Sequence, residues 1–116
     1  MDMNTVSLSG RVGQDPTIEK TQKGHDYARF SIANKPTAGK DDPTHWLTVW
    51  VFNPGLVKIV SEHVKKGAFI GIEGRLTSRK VEVDGQKREE LQLVLSDNGD
   101  QIFLWSRPNG DSAADA

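Results

Sequence analysis

The chain has no cysteine among its 116 residues. That excludes a disulfide framework, a thiolate metal centre and cysteine nucleophiles, and leaves burial alone to hold the fold, an economy that suits a reducing cytoplasm. No apolar run approaches the roughly 20 residues needed to cross a bilayer. The N-terminus, Met1-Asp2-Met3-Asn4, lacks the basic and apolar character of an export signal. The expectation is a soluble, unexported protein with no membrane partner. An excess of one charge is also missing: 15 Lys+Arg stand against 16 Asp+Glu, for a net charge of −1. Beyond Arg107 lie Asp111 and Asp115 and no cation, so the body before that point holds 15 positive charges against 14 negative. Any site for a polyanion has to come from local clustering, and its affinity should depend on salt.

Catalytic material is equally sparse. His25, His45 and His63 are scattered, with no serine nucleophile motif beside them, so a triad is not expected. Asp41, Asp42 and His45 have the residue types of a metal site, but adjacent loop carboxylates are more simply turn residues. No phosphate-cradling glycine loop precedes a helix. The chain reads as a non-enzyme with no metal and no cofactor.

Strand-like alternation is present in quantity: Val6-Leu8-Gly10-Val12, Ala28-Phe30-Ile32, Leu47-Val49-Val51, Ile70-Ile72-Gly74-Leu76 and Leu91-Leu93-Leu95. Turn-forming residues separate these runs, and Asp84-Gly85 predicts a tight hairpin. One stretch has helical spacing, with Leu56, Val57, Ile59, Val60 and Val64 on the apolar side, Asn53-Pro54 at its start and Gly67 at its end. The order is three strands, a helix and two strands, with Gly10, Gly71 and Gly74 inside strands where a small barrel bends. An all-β, five-stranded oligonucleotide/oligosaccharide-binding (OB) barrel with one α-helix between strands three and four has this layout. It occupies residues 1–107. A last apolar run, Ile102-Phe103-Leu104-Trp105, is either barrel closure or an oligomer contact. Residues 108–116 read as a short, disordered acidic tail.

Aromatics make up only 7% of the chain, yet three of them crowd into His45-Trp46-Leu47-Thr48-Val49-Trp50-Val51-Phe52. Period 2 sends Leu47, Val49 and Val51 inward and Trp46, Thr48, Trp50 and Phe52 outward. Such a face either makes a second core or offers flat surfaces on which bases stack. Dispersed cations on neighbouring strands, namely Arg11, Arg29, Arg75, Arg79, Lys80, Lys87 and Arg88, suit a phosphate track. Arg79-Lys80 and Lys87-Arg88 flank the Asp84-Gly85 turn as a basic hairpin arm. Lys65 and Lys66 read more simply as cations at the helix C-terminus.

Three segments in order, Gly10-Arg11-Val12-Gly13-Gln14-Asp15-Pro16, Thr44-His45-Trp46 through Phe52, and Lys66-Gly67 through Arg79-Lys80, resemble the bacterial single-stranded DNA-binding protein family from about Asn4 to Arg107. The resemblance implies a homo-oligomer, dimeric or tetrameric, that coats and protects single-stranded DNA during replication, recombination or repair. It also implies Trp46 and Phe52 as stacking residues. The chain departs from the family where Asn34-Lys35-Pro36 and Val81 stand in place of aromatics, at Trp50, usually an aliphatic, and in its short tail, which puts recruitment of replication and repair proteins by that route in doubt. The alternative is a dimeric replication-restart accessory whose aromatic face mainly contacts protein.

Overall fold

A computed structural model describes residues 2–37, 39–97 and 99–106, so the expected tail at 108–116 and the domain boundary at Arg107 lie outside the described residues. The elements in chain order are β1 (Val6–Val12), β2 (Thr17–Lys20), β3 (Asp26–Asn34), β4 (His45–Val51), α1 (Pro54–His63), β5 (Phe69–Val83), β6 (Gln86–Leu95) and β7 (Gln101–Ser106). Five of these strands form a ring, β1-β3-β4-β6-β5, closed by β5 pairing back onto β1 from Val6↔Gly74 to Arg11↔Phe69. All its pairings are antiparallel except β4 with β6, which run parallel through Val49↔Leu93, Trp50↔Val94 and Val51↔Leu95. These five strands are the five predicted.

Alternation closes the ring around one core. Ile32, Val49, Val51, Ile70, Ile72, Leu93 and Leu95 are fully buried, and α1 adds Val57 and Val60. Each such side chain stabilises the fold by roughly 1.5–3 kcal/mol relative to exposure. The helix begins as its sequence requires: the Asn53 side chain accepts hydrogen bonds from the Gly55 and Leu56 amides, and Pro54 occupies the first turn. It ends at His63, before the expected stop at Gly67, because Val64 turns extended (φ −94°, ψ 116°) while its amide still donates to the Val60 carbonyl. Lys65 then donates from Nζ to the Ser61 carbonyl in the last turn.

Two strands lie outside the ring. The expected edge strand near Phe103 is β7, which pairs with Phe69–Glu73 of β5 on the edge opposite β1, continuing the line of β6; β1 closes the barrel, and β7 does not. Strand β2 carries no alternation signal, since all four of its residues are exposed; backbone pairing to β3 from Thr17↔Arg29 to Lys20↔Asp26 holds it. The β5–β6 hairpin also outruns the ring. Its distal part is exposed on both faces, so the hydrophobic alternation fades there although pairing continues to Val83↔Gln86. Asp84 (φ 53°) and Gly85 (φ 78°) make the left-handed turn that suits this hairpin.

Gly10 is needed for approach rather than for bending, because a Cβ there would collide with the Ala33 carbonyl of β3. Gly10→Ala is expected to destabilise the protein by about 1–3 kcal/mol in urea unfolding. Gly99→Ala, where the added methyl meets open space, should change it by less than roughly 0.5 kcal/mol. Asn53→Ala removes the helix cap and should cost about 1 kcal/mol, read as a fall of roughly 4–8 °C in the thermal midpoint.

Candidate nucleic-acid interface

The outward face of β4 is as the alternation predicts. Trp46 is 62% exposed and Phe52, just past the strand, 39%, while Val49 and Val51 on the other side are sealed in the core. The benzo end of the Trp46 indole rests against Gly13, where a Cβ would sit 2.7 Å from Cζ3. A glycine whose amide donates to the Ser31 carbonyl (3.0 Å) thus sets the angle at which the indole stands.

Register carries this face across the neighbouring strands. Arg29 of β3 lies directly opposite Trp50, and Ser31 opposite Thr48. Tyr27, two residues before Arg29, joins the same side. Its ring stacks with Trp50 (centroids 5.9 Å apart, planes 22°) and tilts against Phe52 (5.6 Å, 30°), while Trp50 and Phe52 lie 6.4 Å apart and nearly parallel at 9°. Tyr27, Trp50 and Phe52 therefore form one aromatic cluster. The Tyr27 hydroxyl donates to a Glu19 carboxylate oxygen at 2.7 Å. That hydrogen bond, with some desolvation, raises the phenol above its ordinary pKa, against the opposing pull of Arg29 and Arg79.

Two guanidinium groups meet the cluster. The Arg29 Cζ lies 5.4 Å and the Arg79 Cζ 5.6 Å from the Trp50 ring centroid. Such contacts contribute about 0.5–1 kcal/mol each at exposed sites. Together they are of the size needed to offset the buried Trp50 Nε1, which has no hydrogen-bond partner among the described residues and costs roughly 1–3 kcal/mol. Beside them opens a groove of about 360 Å³, lined by Gln14, Asp15, Thr17, Arg29, Phe30, Ser31, Thr48, Trp50, Arg79, Val81, Glu90 and Gln92. Val81, at a position where the resemblance leads one to expect an aromatic, is part of this wall.

The other expected contacts are distributed unevenly. Arg88 pairs with Val81 and shares the outer side of the arm with Arg79. Lys80 and Lys87 fall on the opposite side of that arm, across from Glu89 and Glu82 respectively. The arm's four cations are matched by Glu82, Asp84, Glu89 and Glu90, so it has no net positive charge. Arg75 is turned toward the end of β6, donating to Ser96 Oγ (3.0 Å) beside Asp97 (3.6 Å). Arg11 is remote from the cluster: it donates to the Gly67 carbonyl (2.9 Å) and lies over Phe69 on the outer face of β1 and β5. Of the eleven expected residues, Trp46, Thr48, Trp50, Phe52, Arg29 and Arg79 share one face, with Arg88 farther along the same side of the arm. Tyr27 joins them without having been anticipated, although its parity opposite Ala28, Phe30 and Ile32 marks it as outward.

Known proteins share both the sequence and this architecture. The Single-strand binding protein family is matched over residues 3–100. A single-stranded DNA-binding protein of Rhizobium meliloti is 42% identical over 94% of this chain and 67% of its own; that of Rickettsia typhi is 33% identical over 95% and 77%. Among solved structures, Plasmodium falciparum SSB in complex with ssDNA superposes with a TM-score of 0.81 at 25% identity, covering 90% of this chain and 96% of that one. A mitochondrial single-stranded DNA-binding protein of S. cerevisiae gives 0.74 at 28%, covering 94% and 100%. With its family matched along nearly all the described residues and its five-stranded ring shared, the chain belongs to the Single-strand binding protein family.

Proposed function

We propose that the chain binds and protects single-stranded DNA without regard to sequence, stacking unpaired bases on Trp46 and Phe52 and attracting phosphates to Arg29, Arg79 and Arg88. The observation that carries this is the exposed aromatic face of β4 with guanidinium groups converging on it from β3 and β5. Every base has a π-face, whereas a duplex hides those faces in its own stack, so the surface favours unpaired strands. Its action is stoichiometric rather than catalytic. Family membership and the DNA-bound state of the Plasmodium neighbour support the same reading.

A strand longer than one barrel calls for several barrels, and a second surface suits their assembly. On the outer side of β5 and β7, Phe69 and Phe103 flank Trp105 at 5.6 and 6.1 Å. Phe103 is 37% and Trp105 47% exposed. The cation at this patch, Arg11, is already engaged with Gly67 and Phe69. This patch is assigned to contact with a second copy of the chain, and Trp105 to that contact rather than to DNA.

Anisotropy of a labelled oligothymidylate tests the first assignment. Trp46→Ala and Phe52→Ala should each weaken binding by roughly 5- to 150-fold, corresponding to ~1–3 kcal/mol per stacked base, with the assembly intact by light scattering. Dissociation into monomers, or equal affinity for duplex and single strand, would contradict the proposal. Trp105→Ser should lower the mass seen by light scattering while the protein keeps its circular dichroism spectrum; an unchanged mass would remove Trp105 from the assembly contact.

A further inference from the structure

Trp50 differs from the other two aromatics of its strand. It is only half-buried, its indole packs beside both Tyr27 and Phe52, and it meets two guanidinium groups. Those groups arrive from β3 and β5, which are separated in the ring by β4 and β6. Neither Arg29 nor Arg79 makes an ion pair or a side-chain hydrogen bond among the described residues, whereas Arg75 has Asp97 and Ser96, and Arg11 has the Gly67 carbonyl. Two carboxylates, Glu90 across from Arg79 on β6 and Asp15, line the same groove, and neither pairs with Arg29 or Arg79; Asp15 instead accepts from the Lys66 amide. Two like charges held at one ring with their N–H donors unspent repel each other until an anion arrives, and a guanidinium fork matches the oxygens of a phosphate.

We infer that Trp50 is a positioning residue whose indole holds Arg29 and Arg79 in the groove as a preformed two-arginine seat for phosphates of a bound strand, and is not itself a base-stacking platform. The inference rests on the DNA-binding reading above and assigns a role within it. Aromatic support removes rotamer freedom from two long side chains before the strand arrives, so less ordering remains to oppose binding. Thr48 and Gln92 on the groove wall offer neutral polar groups beside the seat.

The salt dependence of oligothymidylate binding separates a seat from a platform, because counterion release counts phosphates and is blind to stacking. Each phosphate contact contributes about 0.7 to the slope of log K against log salt for a single strand. Arg29→Gln together with Arg79→Gln should flatten that slope by about 1.4. Trp50→Leu should flatten it in the same sense and, in the background of the two glutamines, change affinity by less than about twofold. Trp50→Phe, which keeps a ring beneath the guanidinium groups, should retain the wild-type slope. A Trp50→Leu protein that binds more weakly with its slope unchanged, and whose loss adds fully to that of the arginine pair, would make Trp50 a stacking platform and overturn the inference. So would an arginine pair whose loss leaves the slope untouched. Where circular dichroism finds Trp50→Leu unfolded, the arginine pair and Trp50→Phe decide by the same criteria. Failure of the wild-type chain to bind oligothymidylate at all would instead remove the DNA-binding reading on which the seat depends.

Discussion

Closure of the sheet by β1 against β5 is the constraint on which everything else rests. Six consecutive pairs, from Val6↔Gly74 to Arg11↔Phe69, turn an open sheet into a ring and give each of its strands one inward side and one outward side. Once the ring is closed, period 2 becomes a partition: Val49 and Val51 have nowhere to go but the core, and Trp46, Thr48 and Trp50 nowhere but the surface. A register slip of one residue would exchange the two sets. Gly10 allows the closure to be tight, because β1 passes β3 at a distance that leaves no room for a side chain.

The outward side then works against ordinary surface economy. Large rings left in water forgo burial, and the fold limits this loss by packing Tyr27, Trp50 and Phe52 against one another and by laying the Arg29 and Arg79 side chains over the indole. The same contacts keep two cations out of ion pairs. A chain that is nearly neutral in sum can therefore still present two guanidinium groups free of ion pairs in one groove, and the net charge of −1 is no obstacle to a polyanion ligand.

The ring strands, the helix and the exposed face of β4 were legible in the residues because each has one wet side and one dry side, and a periodic signal is what such a boundary leaves in a sequence. Strand β2 was not legible. Thr17, Ile18, Glu19 and Lys20 are all exposed, and a strand held by backbone pairing and polar side-chain contacts leaves no hydrophobic trace. Tyr27 carries no sequence signal of its own for a related reason: a lone tyrosine at a strand start acquires meaning only when Trp50 and Phe52 are brought beside it. The hairpin arm looked basic when Arg79-Lys80 and Lys87-Arg88 were read together, yet pairing places Lys80 opposite Glu89 and Lys87 opposite Glu82.

By itself the amino-acid order determined which side chains would be inside, where the chain would turn, and that aromatics and cations would share the barrel's surface, because those properties follow from local periodicity and turn chemistry. Which cations share a groove with which rings was decided only by tertiary structure. Arg29 and Arg79 are 50 positions apart in the chain and reach one indole through a ring of strands, and such a meeting depends on closure, register and shear, which no single segment contains.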